Sequence, residues 1–387
     1  MQVDLDIASY LSQQKTKYPE FKDIFAQFET LYDQKLWHQL TVALEKLLAN
    51  PKSHSLLIPL YNNFVKDWES KMNQISLVKF VSLTSVQLGD HKKALEFLTP
   101  FATKLKGDDS AKDAYVLIST EIARNKLLSG DLEGCKTNIE ECEKILDSLP
   151  GTDPVINAGF YRVSSDYFKA TMGYPQYYHN ALLFLSSVSL DDLTVQEKQE
   201  RAFELCMSAL LGEGLYNFGE LLMHPILNTL QGSSYAWLRE LLFFYNSGNM
   251  EGFEKTSKSG EFLRQPLLVS ALPFLRQKLC LMTLVESVFK RSKEERGRLS
   301  FADISKETRV AFDEVEHLVM KALSLGLIKG SIDEVDSIVS VTWVQPRVLD
   351  KNQIGHIGKR IEEWSLKVSQ QVIGLESQES FTSVFAQ

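Results

Sequence analysis

The side chains that most often act as nucleophiles or metal ligands, those of Cys and His, lie far apart in this sequence. The seven histidines are His38, His54, His91, His179, His224, His317 and His356, and the four cysteines are Cys135, Cys142, Cys206 and Cys280. No two cysteines form the CxxC pair that zinc sites and redox-active thiols use, and neither an HExxH nor an H-x-H motif occurs. This spacing predicts no metal site and no disulfide framework.

Motifs that bind phosphate or a nucleotide are absent from the sequence too. It contains no GxxxxGK[ST] loop, and Gly212-Glu213-Gly214 is followed by Gly219, which comes too late for a GxGxxG motif. A Ser-His-Asp or Cys-His site assembled from distant residues stays open, because geometry rather than sequence order defines such sites. We expect no catalytic residues and no cofactor, so the sequence favours a protein that is not an enzyme.

The composition points away from nucleic acids and membranes. The 387 residues include 42 Lys and Arg against 50 Asp and Glu, which gives a net charge of −8. An acidic chain is repelled by phosphate, whether in a nucleic acid or on an anionic lipid surface. The N-terminal segment MQVDLDIASY lacks the regions of a secretory signal, and no stretch approaches about 18 uncharged apolar residues. These features predict a soluble protein of a reducing compartment.

Apolar residues recur at helical spacing through most of the chain. In the segment that starts at Asp131, a stripe containing Cys135 and Cys142 repeats at steps of three and four residues. We expect Asp131 to be its N-cap and both thiols to be buried. Similar units are separated by short breaks that contain Gly. The chain to about residue 285 is therefore predicted to be mainly α-helical, a right-handed solenoid of antiparallel helical hairpins like tetratricopeptide repeats.

The pattern changes after Phe289. The segment 290–298 carries five basic and two acidic residues, which we interpret as a solvated linker that tolerates charge reversal. The next residues predict a strand at 299–301, a helix at 302–308, a second helix capped by Asp313, and a wing whose strand covers 337–343. This order of elements predicts a winged helix-turn-helix.

The charge of this winged helix argues against nucleic-acid binding. A helix that reads DNA presents Arg, Lys, Asn or Gln to the bases. Residues 313–346 instead carry six acidic side chains and two lysines, Lys321 and Lys329. The module therefore repels a phosphate backbone, and the basic residues of 290–298 are the feature that favours a nucleic-acid adaptor.

The last predicted helix is long and amphipathic. Its near-heptad apolar positions, hereafter the apolar stripe, are Ile354, Ile357, Ile361, Trp364, Val368, Val372 and Leu375. Such a stripe is longer than a helix needs to cover its own domain, so we interpret it as a surface for partners. Packing against its own chain is the alternative. From Glu376 onward the sequence is polar and predicts a frayed end.

These patterns predict five segments. They are an N-terminal helical-repeat region (1–170), a second helical region (171–289), the winged helix (290–347), a long C-terminal helix (348–376) and a disordered tail (377–387).

Several segments resemble the PCI-domain proteins, which are scaffold subunits of the proteasome lid, the signalosome and eukaryotic initiation factor three. The segments that carry the resemblance are 35–40, 208–225, 262–265, 278–282, 314–322 and 343–347. The longest of them, SALLGEGLYNFGELLMHP at 208–225, is also the most specific. Together they are most similar to a non-ATPase subunit of the 26S proteasome lid.

The resemblance implies a non-catalytic structural subunit in ubiquitin-dependent protein degradation, located in the cytoplasm and nucleus as part of a hetero-oligomer. It implies that winged helices pair edge to edge and that C-terminal helices form a bundle. The expected partners are other PCI-domain lid subunits, the lid helix bundle and a neighbouring ubiquitin-receptor subunit. The alternatives are a PCI scaffold of the signalosome or of initiation factor three, or a nucleic-acid adaptor of the mRNA-export type.

Two groups of residues are the candidates for binding partners. The wing strand, interpreted as an edge strand, contributes Ile338, Val339 and Val341. The apolar stripe contributes Ile354, Ile357, Ile361, Trp364, Val368 and Val372.

Overall fold

Helices make up most of the chain, with one small sheet near the C-terminus. The computed structural model describes residues 7–48, 50, 53, 56–107, 111–149, 151–291, 293–346 and 351–384. The chain forms two compact units, Met1–Thr194 and Val195–Gln387. The expected class, a mainly helical repeat followed by a winged helix and a long helix, is confirmed. The five-segment division of the sequence stays a prediction.

The first unit consists of helices and short turns. Its helices are α1 (Ile7–Lys17), α2 (Lys22–Asp33), α3 (Trp37–Leu48), α4 (Leu57–Leu60), α5 (Lys66–Trp68), α6 (Gln74–Val86), α7 (His91–Leu105), α8 (Lys112–Ser129), α9 (Leu132–Ser148), α10 (Pro154–Ala170) and α11 (Tyr174–Ser187). A π-helical turn, Tyr61–Val65, joins α4 to α5. Helices that are neighbours in sequence pack as hairpins, and α3, α6, α8 and α10 also pack side by side. This arrangement is that of a helical solenoid.

Capping and apolar packing explain why the helices of the first unit start and stack where they do. The Asp131 carboxylate accepts a hydrogen bond from the amide of Gly134 at 2.9 Å, which confirms it as the N-cap of α9. Cys135 and Cys142 are buried on the inner face of that helix, as expected. Aromatic rings dominate the core nearer the N-terminus, where Phe28 stacks on Phe64 with ring centroids 5.6 Å apart.

The second unit contains a helical part, a winged helix and a long final helix. The helical part comprises α12 (Val195–Leu211), α13 (Gly219–Met223), α14 (Ala236–Ser247), α15 (Met250–Ser257), α16 (Gly260–Leu263), α17 (Pro266–Ser270), α18 (Leu272–Lys290) and α19 (Lys293–Arg296). The winged helix comprises β1 (Leu299–Ser300), α20 (Phe301–Thr308), α21 (Phe312–Ser324), β2 (Ile328–Asp333) and β3 (Ile338–Val344). The final helix is α22 (Lys351–Val384).

A buried lysine joins α12 to α18. Lys278 of α18 is 1% exposed, and its Nζ donates hydrogen bonds to the carbonyl oxygens of Ala209 (2.7 Å), Leu210 (3.1 Å) and Gly212 (2.8 Å). These carbonyls belong to the C-terminus of α12, where the last backbone acceptors of a helix lack intrahelical donors and where a positive charge is favoured. Lys278 therefore caps α12 from another helix.

The surroundings of the Lys278 ammonium suit a cation in spite of its burial. Ring faces of Phe218, Tyr216 and Phe274 lie 5.2–5.8 Å from Nζ, within the range of cation–π attraction. Burial disfavours the charged form and lowers the pKa of Lys278 to about 7. At Gly212 a side chain would not fit, because its Cβ would lie 2.7 Å from the Ser208 oxygen and 2.6 Å from a Leu215 methyl carbon.

The joint between the helical part and the winged helix is not the solvated linker that the sequence predicts. Arg296 donates from Nε to the Arg291 carbonyl at 2.9 Å and from Nη2 to the Phe289 carbonyl at 2.7 Å. Arg291 in turn donates to the Glu307 carboxylate of α20 at 2.8 Å. Arg296 thus caps the C-terminus of α18, and charge reversal at either arginine would remove a bond that fixes the joint.

The sheet of the winged helix has the order β1-β3-β2, and both pairings are antiparallel. The expectation that the wing strand is an edge strand is therefore wrong, because β3 lies between the other two. Strand β1 pairs with β3 only at Val339 and Ile338. Gly330 accommodates a bulge in β2, where a Cβ would lie 2.0 Å from the Ser340 carbonyl oxygen.

The helix starts in the winged helix differ slightly from those predicted. Helix α21 begins at Phe312 with Ala311 as its N-cap and without a side-chain cap bond, so the expected cap at Asp313 is wrong. Asp313 is instead inside the first turn, where a carboxylate is favoured by the helix dipole. In α20 the hydroxyl of Ser300 accepts from the Asp303 amide and so caps the helix.

Helix α22 is longer than the sequence predicts. It runs to Val384, so the tail expected to be disordered from residue 377 is helical as far as Val384, and residues 385–387 lie outside the described residues. Residues 377–384 contain no Gly or Pro that would stop a helix.

We expect the substitution Lys278→Met to lower the free energy of unfolding of the second unit by about 2–4 kcal/mol, because three buried carbonyl oxygens lose their donor. Lys290→Met, on the exposed end of the same helix, is the matched control and should change it by less than about 0.5 kcal/mol. Urea unfolding followed by tryptophan fluorescence measures both. Equal stability of the two variants would contradict a structural role for Lys278.

At the joint, we expect Arg296→Gln to destabilise the protein by about 1–3 kcal/mol, since two hydrogen bonds from a charged donor are lost. The exposed neighbour Arg298 provides the control, and Arg298→Gln should leave the thermal midpoint unchanged. A solvated linker would instead give two indistinguishable melting curves.

Candidate interaction surfaces

The four thiols lie in buried sites that disfavour the thiolate form. All four are buried. Burial raises the pKa of Cys135 to about 11 and those of Cys142 and Cys206 to about 12, and it also raises the pKa of Cys280. Since the thiolate is the reactive form, these residues have the character of small apolar side chains.

A groove in the second unit is lined by both a thiol and an imidazole. This groove, of about 920 Å³, lies between α18 and α21 and is lined by Cys280, His317 and Arg309, among others. The Cys280 sulfur is 3.7 Å from the Thr308 carbonyl oxygen, to which it donates. Arg309 pairs with Glu251 and Glu254 of α15. Arg309 is thus engaged in holding the winged helix against the helical part.

His224 has the structural role that its position before a proline suggests. Its Nδ1 accepts a hydrogen bond from the Ile226 amide at 3.2 Å and caps the turn Pro225–Leu230. Desolvation lowers its pKa, which favours the neutral ring that this bond requires.

Across the part of the chain that the structure describes, no three His, Cys, Asp or Glu side chains are grouped as ligands for a metal ion. Within the same ranges, no helix has the length and apolar character that crossing a bilayer requires.

The structure divides the wing candidates between core and surface. Val339 and Val341 are 0% and 5% exposed and belong to the core of the winged helix. Their side chains are therefore not on a free surface, and Ile338 is only half-buried. On the side of β3 that faces β1, strand pairing covers only the first two residues, Ile338 and Val339.

The stripe candidates, by contrast, are all on the surface. Ile361 and Trp364 are 59% and 67% exposed, and the remaining stripe residues lie between 39% and 62%. All described side chains of α22, at 354–355 and 357–375, are exposed. The stripe therefore does not pack on the described part of its own chain, which removes the alternative of self-packing in this structure.

Sequence reasoning missed a second group of exposed apolar residues, on the winged helix. Phe312, Met320 and Trp343 are 50%, 52% and 40% exposed. Met320 falls outside the buried stripe of α21, and this departure from helical spacing is the signal that could have identified it. Phe312 follows the spacing of the stripe but lies in the first turn of the helix, and its exposure could not be predicted from the spacing. Trp343 is covered on one face by Lys329, whose Nζ is 5.0 Å from the ring centroid.

Comparison with known proteins places these surfaces in a family. A family model described as PSD13 N-terminal repeats matches residues 24–242, and the PCI domain model matches residues 249–343. The first match contains Ala209, Leu210 and Gly212, and the second contains Lys278. The two sides of the buried lysine contact therefore come from both family regions.

Individual proteins show the same similarity over nearly the full length. The chain is 40% identical to the 26S proteasome regulatory subunit RPN9 of Saccharomyces cerevisiae, over 90% of this chain and 91% of that protein. It is 36% identical to the 26S proteasome non-ATPase regulatory subunit 13 homolog B of Arabidopsis thaliana, over 95% of this chain and 97% of that protein. Similarity to eukaryotic translation initiation factor 3 subunit M of Dictyostelium discoideum is lower, 26% over 45% of this chain.

The proteasome subunits are thus similar to nearly the whole chain, whereas the initiation-factor subunit matches less than half of it. The chain therefore belongs to the PSD13 family, that of the 26S proteasome non-ATPase regulatory subunit 13 and RPN9 proteins.

Proposed function

We propose that this chain is a non-catalytic structural subunit of the 26S proteasome regulatory-particle lid. The observation that carries the proposal is the exposed apolar stripe of α22 in a chain of the PSD13 family. Its partners are other PCI-domain lid subunits, whose C-terminal helices complete a bundle, and a neighbouring ubiquitin-receptor subunit. The subunit acts in the cytoplasm and the nucleus, where ubiquitin-dependent degradation takes place.

Exposure of this extent is unfavourable unless another surface covers it. Seven large apolar side chains align on one face of α22, and each is more than a third exposed. Contiguous apolar surface of this kind marks an interaction site on a folded protein, since burying it removes about 25 cal/mol for each Å² withdrawn from water. Stripes with heptad spacing are covered best by other helices. A helix bundle with other subunits satisfies both requirements.

The winged helix supplies a second contact through its backbone. On the side of β3 opposite β2, the segment Ser340–Val344 has no strand partner among the described residues. Unpaired strand backbone is a template for pairing with another chain. We infer that Ile338 takes part at the edge of this contact, while Val339 and Val341 hold the strand in place from the core.

Charge disfavours the nucleic-acid adaptor. The first turn of α21, which would enter a groove of DNA, exposes Asp313 and Glu314. Its basic residue, Lys321, is held by the Gln277 side chain at 2.7 Å. In the joint, Arg291 and Arg296 are engaged in structural bonds rather than presented to phosphate.

We expect Ile361→Asp/Trp364→Ala to abolish incorporation into the proteasome while the isolated chain melts normally. Both side chains are exposed in the free chain, whereas loss of roughly 4 kcal/mol at a covered interface weakens association on the order of a thousandfold. Gel filtration of a lysate that expresses the tagged variant measures incorporation, and thermal melting of the purified chain measures folding.

The control uses apolar residues on the other face of the same helix. Leu366 and Ile373 are 64% and 65% exposed and lie off the stripe. Leu366→Asp/Ile373→Ala should enter the complex like the wild type. Normal incorporation of the stripe variant would refute the bundle contact, and a lowered melting temperature would show that the stripe packs within its own chain.

Buried thiols give a test of the non-catalytic role. With pKa values of about 11 or 12 for three of the cysteines, the thiolate fraction at pH 8 is below about one in a thousand. We therefore expect no labelling by iodoacetamide in the native protein and labelling of all four thiols in denaturant, measured by intact mass. Rapid native labelling of a single cysteine would reveal an activated thiol and would reopen the question of catalysis.

A further inference from the structure

The two flanks of the apolar stripe differ in chemistry. With Ile354, Ile361 and Val368 at the first position of each heptad, Arg360 and Lys367 occupy the flank that precedes it. The other flank holds Gly358, Ser365 and Val372 at equivalent positions, and Val372 also belongs to the apolar stripe. One flank of the stripe is therefore basic, whereas the other carries no charge and begins with two small residues.

The small flank is not required by the chain itself. A Cβ at Gly358 would meet nothing within 4 Å, and its φ is that of an ordinary helix, so neither packing nor backbone geometry calls for glycine. Glycine inside a helix is less favourable than alanine by about 1 kcal/mol. Close approach of a helix from outside the chain explains its presence, since small residues let two backbones come together.

The flanks are poorly matched to a second copy of the same helix. In a parallel pair, residues of the basic flank face the opposite flank of the partner, which would set Arg360 near Ser365 and Lys367 near Val372, without any carboxylate. In an antiparallel pair the two basic flanks would face each other and repel. Trp364 would also have to meet another Trp364 in a parallel pair, where the core position favours leucine.

We propose that the helix bound by α22 carries Asp or Glu beside its own apolar stripe, in register with Arg360 and Lys367. This inference rests on the proposed function and specifies the partner of the same surface. The acidic side chains lie along the basic flank, while the partner backbone lies close to Gly358 and Ser365. Apolar burial supplies most of the affinity, and the flanking charges select which helix binds and in which orientation.

Two synthetic helical peptides test the charge preference on the full-length chain. They share one stripe of Ile and Leu, and they differ only in carrying Glu or Lys at the flanking positions. We expect the Glu peptide to bind about tenfold more tightly at low ionic strength, with the difference fading at high salt. Fluorescence anisotropy measures both affinities.

Charge-swapped variants make the test specific to the flank. Arg360→Glu/Lys367→Glu should invert the preference, so that the Lys peptide binds more tightly. The single variant Arg360→Glu should weaken the preference. The adjacent Lys359→Glu changes the charge by the same amount as Arg360→Glu on a face turned away from the stripe and should leave the preference unchanged. Equal effects of Arg360→Glu and Lys359→Glu, or equal affinity of the wild type for both peptides, would overturn the inference.

These experiments separate failure of the acidic-partner inference from failure of the proposed function. If the peptides bind equally but Ile361→Asp/Trp364→Ala abolishes incorporation, the bundle contact stands and the acidic partner does not. If that variant still incorporates, the bundle contact itself is refuted. A stable dimer of the wild-type chain in sedimentation, lost in the same variant, would show that a second copy covers the stripe and would also overturn the inference.

Discussion

A single buried ammonium group, that of Lys278, joins α12 to α18 in the helical part of the second unit. It reaches three carbonyl oxygens at the end of α12, and the rings of Phe218, Tyr216 and Phe274 surround it. A buried cation tolerates little displacement, because each lost bond leaves a desolvated charge or an unpaired carbonyl. The same helix, α18, also packs on α20, α21 and β3. Lys278 thus links α12 to the helix on which the winged helix packs, and the ion pairs of Arg309 with Glu251 and Glu254 add a second link between the helical part and the winged helix.

The buried residues of α18 contrast with the exposed surface of α22. The middle of α18, from Lys278 to Val285, is buried, and Arg296 fixes the joint that leads to the winged helix. The final helix, by contrast, exposes its apolar stripe. Exposed apolar surface of this kind marks a site where a partner binds.

Sequence periodicity predicted much of this architecture, and its errors have physical causes. The buried positions of Cys135 and Cys142, the cap at Asp131 and the winged helix follow from local spacing and cap chemistry, which a short segment contains in full. The central position of β3 in the sheet could not be predicted in this way, because strand order depends on β1. That strand lies far before β3 in the sequence and pairs with it through only two residues. The role of Lys278 was equally hidden, since its acceptors are backbone atoms more than sixty residues away. Residues 290–298 look like a solvated linker in composition, but the guanidinium groups of Arg291 and Arg296 find carbonyl and carboxylate partners that only the fold brings near.

The central claim is that the apolar stripe of α22 is exposed to solvent in the free chain and is buried against other subunits in the assembled regulatory particle. Hydrogen–deuterium exchange of residues 354–375, compared between the purified chain and the same chain within purified proteasomes, measures this most directly. The account predicts fast exchange in the free chain and strong protection in the particle, while peptides around Lys278 are protected in both. Equal exchange of residues 354–375 in the two states would contradict it.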